Sequence, residues 1–283
     1  MTPVGLTSRW VAASRAYETE RPNGLFQDPF ARALAGEAGF AMHADCKQVR
    51  SGSGPQDGPD PYLAIRTRYL DDALLAAVEG GLTQVVVMAA GMDSRAFRLT
   101  WPAGTVLFEI DRDEIFDYKE EILTGLGAVP TCDRRIVRAD LEHNWIDPLV
   151  DAGFDRSRPA AFLVEGLVVY LDDAAVAGLL TSVASIAQPG SWIAADVPGV
   201  ELLTSSFMKP FADKLASLGC PWLFGVANPE EYFAQFGWNV AAVMPGEPSA
   251  HYGLWPYPTP PRWVPGIPRS YFVVGKLAQE GIA

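Results

Sequence analysis

The feature that most constrains the fold is an alternation of short apolar runs with helical segments along most of the chain. Strand-like runs are expected at 84–90, 105–110, 136–139, 160–165, 191–197, 238–243 and 271–276. Helical patterns lie at about 7–18, 29–35, 61–79, 113–124, 172–187 and 229–235. Because buried parallel strands read as continuous apolar runs, this alternation predicts an α/β fold with a mostly parallel sheet covered on both faces.

The end of the chain breaks this alternation. Residues 245–270 join the last two apolar runs and are rich in proline, which cannot continue a helix. These two runs are therefore expected to pair antiparallel at one edge of the sheet. Residues at about 198–228 lie between two strand-like runs and predict a helical cap. The whole chain, 1–283, is interpreted as one domain with an N-terminal helical segment at 1–60, and its clearest loop is expected at 46–61.

Composition argues against several classes of function. The 283 residues carry 22 Lys and Arg against 34 Asp and Glu, a net charge of −12, which argues against nucleic-acid binding. Three widely spaced cysteines predict no disulfide framework and a reducing, cytoplasmic location. The N-terminus does not resemble a signal peptide, and no apolar run is long enough to span a membrane. His43 and Cys46 lack a second cluster of ligand-type residues, so no metal is expected.

Carboxylates follow four of the predicted strands: they are Asp93, Asp111, Asp140 and Glu165. Ligands of an open parallel sheet bind at the carboxyl ends of its strands. A single acid at such a position commonly caps the helix that follows. Four together indicate a binding site at this edge of the sheet.

The loop around Gly91 distinguishes two kinds of nucleotide. Asp111 lies 20 residues after Gly91, the spacing of an acid that binds ribose hydroxyls in a dinucleotide fold. The loop has no G-x-G-x-x-G pattern, however, and Asp93 would repel a pyrophosphate. A ligand with ribose hydroxyls and a positive centre but no phosphate suits the loop better, and S-adenosylmethionine is such a ligand. An NAD-dependent oxidoreductase is the weaker alternative.

Arg66 lies on the apolar face of the helix predicted at 61–79, between Leu63 and Leu70. An arginine that points inward needs an anionic partner. The spacing alone leaves two candidates open. The partner is either Asp93, in an internal ion pair, or the carboxylate of a bound cofactor.

Four collinear motifs resemble those of one enzyme family. They are "VVVMAAGMDSRAFRL" at 85–99, "FEID" at 108–111, "RADL" at 138–141 and "EGLVVYL" at 165–171. An N-terminal stretch that contains "LFQDPFA" is also similar. Together these motifs resemble the leucine carboxyl methyltransferase family, which includes phosphatase-tail carboxyl methyltransferases, actinobacterial methyltransferase homologues and tetracenomycin-type polyketide O-methyltransferases.

The resemblance implies a Rossmann-like, seven-stranded class I methyltransferase sheet that binds S-adenosylmethionine. The implied cofactor-binding positions are Arg66, Ala89, Gly91, Asp93, Asp111, Asp140, Leu141 and Glu165. Arg66 would hold the carboxylate of the cofactor. Gly91 would let the chain approach the methionine portion.

The remaining matched positions would surround the rest of the cofactor. Asp111 would bind the ribose hydroxyls, and Asp140 and Leu141 would contact the adenine. Glu165 would close the site. Ala89 stands where relatives usually have glycine, so its methyl group is expected to narrow the groove.

The methyl acceptor is predicted to be a small-molecule carboxylate, of polyketide type if the resemblance extends so far. A carboxylate is already nucleophilic, which fits the lack of a recognisable catalytic base. A phenol or alcohol acceptor is the alternative, and His251 or Tyr252 could then supply a base. A non-catalytic S-adenosylmethionine-binding module is a further alternative. Candidate acceptor-binding residues are Arg15, Tyr170, Trp255 and Arg269. The expected assembly is a monomer or homodimer.

Overall fold

The strands form one seven-stranded sheet in the computed structural model, which describes residues 2–51 and 58–278. Their bounds are β1 Gln84–Met88, β2 Val106–Asp111, β3 Asp133–Arg138, β4 Ala161–Val164, β5 Trp192–Pro198, β6 Trp238–Val243 and β7 Ser270–Leu277. The order across the sheet is β3-β2-β1-β4-β5-β7-β6, and β1 to β5 are parallel. The predicted Rossmann-like α/β sheet of seven strands is confirmed.

The antiparallel end of the sheet agrees with the proline-rich composition of the last connection. β7 lies between β5 and β6 and runs antiparallel to both strands. The connection from β6 to β7 contains a 3-10 turn at Pro248–Ala250 and is otherwise irregular. Its prolines lack the amide donors that a crossover helix would need.

Ten α-helices surround the sheet in the described part of the chain. Their bounds are α1 Pro3–Glu20, α2 Ala31–Ser51, α3 Pro61–Glu79, α4 Arg95–Arg98, α5 Asp113–Gly125, α6 Ile146–Asp151, α7 Asp173–Ile186, α8 Val200–Thr204, α9 Lys209–Ser217 and α10 Pro229–Ala234. α3 matches its predicted bounds because its end signals are strong. The Asp60 carboxylate accepts a hydrogen bond from the Tyr62 amide at 2.9 Å, and Pro61 occupies the first helical position.

The loop expected at 46–61 is wrong for its first part. Residues 46–51 continue α2, and residues 52–57 lie outside the described part of the chain. Cys46 belongs to the same buried apolar cluster as Trp10. Burial of this helical turn therefore outweighs the polar residues that predict a loop.

Two apolar layers enclose the sheet, one on each face. On one face, Val85 and Val87 of β1 pack in the cluster that contains Leu70 and Leu74 of α3. On the other face, the alternate β1 residues Val86 and Met88 pack with α7 residues, including Leu180. Since β1 is buried on both faces, it reads as a continuous apolar run.

The edge strand β3 and the short helices also differ from the sequence prediction, as does α2, which was predicted at about 29–35 and spans Ala31–Ser51. β3 begins at Asp133 rather than at residue 136. Its first three residues are charged and are not fully buried at the edge of the sheet, so they do not read as an apolar run. α4 and α6 were not predicted, since four and six residues are too few to show helical periodicity.

α8 and α9 form a helical cap over the carboxyl ends of the strands. Both ends of the cap meet at one point, where Gly199 forms a parallel bridge with Val226. α9 buries Phe211 and Leu215 in the cluster that contains Trp10 of α1. None of the helices that the structure describes has the length and apolar character required to cross a membrane.

Candidate functional site

A cavity of about 1070 Å³ lies at the carboxyl ends of the parallel strands. It is lined by α1, the start of α3, the ends of β1 to β5, the cap and the proline-rich segment. β1 lies between β2 and β4, so the cavity covers the point where the strand order reverses. Open α/β sheets bind their ligands at this point. The volume exceeds that of most single-ligand pockets, so two small molecules can fit together.

All eight cofactor-binding positions that the sequence predicts line this one cavity. They are Arg66, Ala89, Gly91, Asp93, Asp111, Asp140, Leu141 and Glu165. The fold brings them together because each follows a parallel strand or lies on α3 above the strand ends.

The turn after β1 contains two residues with left-handed backbone. Ala89 has φ of 51° and Gly91 has φ of 48°. A Cβ atom at position 91 would come within 2.7 Å of the Ser8 Cβ atom of α1, so glycine is required there for close packing of α1. At position 89 an alanine adopts a conformation that normally favours glycine. The predicted exception at Ala89 is therefore a site of backbone strain.

Substituting glycine for Ala89 tests this strain. We expect Ala89→Gly to leave the free energy of unfolding unchanged or to raise it by up to about 1 kcal/mol, because relief of the left-handed alanine offsets the extra entropy of the unfolded chain. We also expect binding of S-adenosylhomocysteine to tighten by as much as roughly fivefold, or about 1 kcal/mol, since Ala89 lines the cavity.

The adjacent Ala90 supplies the matched control. It is buried and has no left-handed backbone, so Ala90→Gly should lower the free energy of unfolding by at least about 0.5–1 kcal/mol. Urea unfolding of both variants measures the difference. Equal destabilisation of the two variants would show that Ala89 carries no strain.

Asp111 anchors the turn after β1 from the neighbouring strand. Its Oδ2 accepts a hydrogen bond from the Gly91 amide at 2.7 Å, and its Oδ1 accepts one from the Arg112 amide at 2.8 Å. Burial raises the pKa of this carboxyl above its usual value, although both amides act in the opposite direction. Asp111 thus fixes the loop and presents its carboxylate to the cavity, where it can accept hydrogen bonds from ribose hydroxyls.

Asp140 and Leu141 lie beyond β3, at the far side of the cavity from the cap. The Asp140 carboxylate accepts a hydrogen bond from the Glu142 amide at 3.0 Å and lies 4.0 Å from the His143 ring. Leu141 packs partly against the apolar layer that contains Trp145. An acid beside an apolar surface can bind the amino group and the face of an adenine.

Arg66 pairs with two carboxylates, and neither is Asp93. Its Nε lies 2.9 Å from Glu165 Oε1, and its Nη1 lies 2.9 Å from Asp196 Oδ2. The internal Arg66–Asp93 pair left open by the sequence is therefore wrong, because Asp93 pairs with Arg95 instead. Nη2 of Arg66 takes part in neither contact, and the residue lines the cavity. This leaves a donor that can hold a cofactor carboxylate.

Arg95 holds three acids at the base of the cavity. It forms ion pairs with Asp93, with Asp71 at 2.7 Å and with Glu165 at 2.7 Å. Burial opposes ionisation of Asp93, but Arg95 and other nearby cations hold its pKa well below the usual range. The pKa of Glu165 is also lowered, by Arg95 and Arg66 against burial. Both acids therefore stay charged at neutral pH.

Arg15 and the "LFQDPFA" motif connect α1 to the same network. Asp28 of this motif is buried and accepts hydrogen bonds from Arg15 Nε at 2.8 Å and Ser94 Oγ at 2.7 Å. Arg15 also donates to the Met92 carbonyl at 2.5 Å. Arg15 lines the cavity, but these contacts make it a support for the β1 turn.

The candidate residues for acceptor binding and those for base catalysis differ in whether they line the cavity. Tyr170, Trp255 and Arg269 line the cavity. The two candidate bases do not: His251 is exposed and accepts from the Gly253 amide, and the Tyr252 hydroxyl donates to Asp72. Both residues belong to the proline-rich segment and lie off the cavity, so their role as bases stays a prediction.

Sequence reasoning missed several residues that build the site. Asp28, Asp71 and Asp196 form ion pairs with its arginines, and Tyr62 donates to Asp196 Oδ2 at 3.2 Å. Asp196 resembles the predicted acids in following an apolar run, residues 192–195, although two further residues of β5 come after it. Asp71 carries no comparable signal, because acids on helices are ordinarily solvated, and Asp28 lies in a loop before α2 that follows no strand.

The charge of the cavity discriminates between the two nucleotides. Eight carboxylates and six guanidinium groups line it, an excess of two negative charges. Such a lining suits S-adenosylmethionine, which carries a sulfonium and an ammonium group, and opposes the pyrophosphate of NAD. No group of three His, Cys, Asp or Glu side chains in residues 2–51 and 58–278 is arranged for a metal ion.

Comparison with known proteins agrees with these features. The family model described as "Leucine carboxyl methyltransferase" matches residues 8–184. A Parafrankia protein is 46% identical over 68% of this chain, and the match spans 62% of the relative's length. A Mycolicibacterium smegmatis protein is 37% identical over 89% of both chains. Both relatives are provisionally named S-adenosyl-L-methionine-dependent methyltransferases.

Solved structures show the same fold. A methyltransferase-like protein from Thermobifida fusca superposes with a TM-score of 0.61 at 18% identity, covering 94% of each chain. A DUF574 family protein from Streptomyces avermitilis gives a TM-score of 0.57 at 17% identity, covering 94% of this chain and 96% of that one. With 177 of 283 residues matched by the family model, the chain belongs to the leucine carboxyl methyltransferase family.

Proposed function

We propose that this S-adenosylmethionine-dependent methyltransferase transfers the methyl group to a carboxylate oxygen of a small molecule. The observation that carries the proposal is the environment of Arg269. Among the described guanidinium groups that line the cavity, it alone has no carboxylate within 4.0 Å. An unneutralised cation on a residue that lines a binding cavity favours an anionic ligand.

The contacts of Arg269 hold its charge against the proline-rich segment. Its terminal nitrogens donate to the carbonyls of Pro261, Val264 and Ile267, at distances between 2.6 and 3.0 Å. Its own carbonyl accepts from the Gly199 amide at 2.8 Å. Three neutral carbonyls hold the guanidinium without cancelling its charge, so it remains available to attract an acceptor carboxylate.

The hydroxyl groups of Tyr170 and Tyr62, which both line the cavity, are donors rather than bases. Burial raises the pKa of Tyr170 to about 12. Burial and Asp196 raise the pKa of Tyr62 even further. His143 also lines the cavity, but it follows β3. β3 and β5, the strand that carries Asp196, are four strand positions apart, which is roughly 19 Å at about 4.8 Å per strand. A carboxylate acceptor, which is ionised at neutral pH, needs no base.

The residues of the cavity contribute positioning and exclusion of water. When bound, S-adenosylmethionine supplies a methyl group on a sulfonium, a good leaving group for in-line displacement. The acceptor oxygen would form the new C–O bond while the C–S bond breaks with its electron pair going to sulfur, so no proton would need to move. Arg66 and Glu165 orient the donor side, while the apolar cap keeps water from the reacting oxygen.

The alternatives differ in what they require of this site. A phenol or alcohol acceptor would need a proton acceptor beside the reacting oxygen. A non-catalytic module would bind the cofactor in the same way without turnover. A cytoplasmic location, a role in natural-product biosynthesis and a monomeric or homodimeric state stay predictions.

Arg269→Gln tests the proposed acceptor contact. Loss of a charge-assisted hydrogen bond should raise the KM for a carboxylate acceptor about 10–100-fold, while the Kd of S-adenosylhomocysteine changes less than about twofold. Binding of the corresponding neutral amide should weaken much less than binding of the acid. Arg262→Gln, an exposed arginine of the same segment, is the control and should leave KM unchanged. An unchanged KM in Arg269→Gln would remove the carboxylate contact.

His251→Ala tests the absence of a base. Because His251 is exposed and lies off the cavity, we expect turnover to stay within about tenfold of the unsubstituted protein. A true general base would cost roughly 10²–10⁴-fold. The measurement is kcat at saturating acceptor. A hundredfold loss with unchanged cofactor binding would favour a phenol or alcohol acceptor.

The acceptor class itself is tested with methyl-labelled S-adenosylmethionine and matched pairs of carboxylic acids and phenols. We expect label transfer to the acids, at rates that change little between pH 6 and pH 8. Faster transfer to the phenols, rising with pH, would contradict the proposal.

A further inference from the structure

The part of the cavity lined by Arg269, the cap and the proline-rich segment, here called the acceptor half, limits the range of possible substrates further. From Arg269, the cavity continues along the cap and the proline-rich segment past Met208, Phe211, Trp222, Trp255 and Pro260. These walls are apolar. A bound molecule must therefore present apolar surface to most of this half.

The number of unpaired cations in the acceptor half matches an acceptor with a single negative charge. Arg15, which also lines the cavity, is neutralised by Asp28. Arg269 is left as the one described lining arginine without an acidic partner within 4.0 Å. A second carboxylate on the acceptor would be buried among apolar side chains without a counter-ion, which is costly.

Three apolar side chains of the cavity lining extend into solvent. Phe207 and Leu223 of the cap are 74% and 51% exposed, and Tyr257 of the proline-rich segment is 57% exposed. Large apolar side chains that both line a cavity and are exposed mark a surface for an apolar ligand. We call these three residues the apolar rim.

We propose that the acceptor is a monocarboxylic acid with an elongated apolar body, whose carboxylate binds at Arg269 and whose body runs along the cap to the apolar rim. This inference rests on the proposed function and adds the shape and charge of the acceptor. A peptide tail fits less well, because its backbone amides and carbonyls would need hydrogen-bond partners that these apolar walls do not offer.

A series of linear monocarboxylic acids, from butanoate to tetradecanoate, tests the proposal with methyl-labelled S-adenosylmethionine. We expect kcat/KM to rise by up to about fourfold per methylene group until the chain passes the rim, and then to level off. The α,ω-dicarboxylic acid of equal length should be at least roughly tenfold poorer. Equal use of short and long acids, or equal use of the dicarboxylic acids, would overturn the proposal.

Rim variants locate the effect in the structure. Phe207→Ala combined with Leu223→Ala should lower kcat/KM for the longest good acid about 10–100-fold and leave butanoate within twofold. Both side chains are largely exposed, so folding should be unaffected. Val129→Ala, which removes a 76% exposed apolar side chain away from the cavity, is the control and should change neither acid. Equal losses for short and long acids would contradict a role for the rim.

Binding separates this proposal from the proposed function. Should no acid be methylated, the carboxylate acceptor fails, and the Kd of the same acids for the protein loaded with S-adenosylhomocysteine decides the shape of the ligand. A Kd that falls with chain length supports the elongated apolar body. A Kd independent of chain length overturns it.

Discussion

Replacing Arg66 with methionine is expected to lower the free energy of unfolding by about 3–5 kcal/mol, the cost of leaving a buried charge without its partner. Arg66 is the described cation that pairs with Asp196, and it shares Glu165 with Arg95. Asp196 and Glu165 are both largely buried. The same substitution removes the donor that we assign to the cofactor carboxylate, so binding of S-adenosylhomocysteine should also be lost.

The pH dependence distinguishes this cause from a general packing defect. In the unsubstituted protein the pKa of Glu165 is lowered, so its contribution to stability is present above its unfolded pKa and is lost as pH falls through the folded value. Without Arg66, Glu165 loses one of the two cations that lower its pKa, so the variant loses stability above that pKa and should be penalised most at neutral pH. The difference in unfolding free energy should therefore shrink as pH falls from 7 to about 4.5.

Urea unfolding at the two pH values provides the measurement. Arg66→Lys keeps a positive charge and should recover part of the stability. If Arg66→Met does not fold, the stability of Arg66→Lys can still be measured. Arg68→Met, which breaks an exposed pair with Asp72 one helical turn away, should cost less than about 1 kcal/mol. An Arg66→Met variant as stable as the Arg68→Met control would show that Arg66 does not neutralise the buried acids.

Replacing Asp111 with alanine is expected to weaken binding of S-adenosylhomocysteine by about 1.5–3 kcal/mol, or roughly 10–150-fold. Two effects add: the ribose loses a charged acceptor, and the Gly91 and Arg112 amides lose the carboxylate that fixes the β1 turn. The fold should survive, since Asp111 ends its strand and contributes little to either apolar layer.

Calorimetric titration with S-adenosylhomocysteine measures the affinity of the Asp111→Ala variant and of its control. Asp113→Ala removes an exposed acid two residues further along and should bind S-adenosylhomocysteine like the unsubstituted protein. Asp111→Asn keeps one acceptor for the Gly91 amide, so its affinity for S-adenosylhomocysteine should lie between those of the Asp111→Ala and Asp113→Ala variants. Unchanged affinity in a folded Asp111→Ala variant would exclude this residue from the cofactor site.

Features with local or periodic causes could be predicted from the sequence. α3 matches its predicted bounds because Asp60, Pro61 and Gly80 are strong end signals within the segment itself. The strand-end acids were found because each ends an apolar run, and parallel topology then brings those ends to one edge. Asp111 and Glu165 needed no knowledge of their partners to be placed there.

Partners distant in the chain could not be predicted. Arg66 and Asp196 are 130 residues apart, and Arg66 and Glu165 are 99 apart, so no spacing rule connects them. The Arg66–Asp93 alternative failed because Arg95, two residues from Asp93, is the nearer cation. Only the folded sheet shows which cation each acid meets.

Features controlled by tertiary packing were also outside the reach of the sequence. The polar residues after Cys46 predict a loop, but burial against α1 and the cap continues α2 to Ser51. His251 has the chemistry of a base, yet the path of the proline-rich segment places it off the cavity. Residue type indicates what a side chain can do, whereas the direction of the backbone decides whether it reaches the site.

The most direct test of the account is titration of the protein with S-adenosylhomocysteine and, separately, with NAD, followed by calorimetry. The acidic lining and the turn at Ala89–Gly91 predict one-to-one binding of S-adenosylhomocysteine, at least about a hundredfold tighter than any binding of NAD. Binding of NAD as tight as that of S-adenosylhomocysteine, or no binding of S-adenosylhomocysteine to the folded protein, would contradict the account.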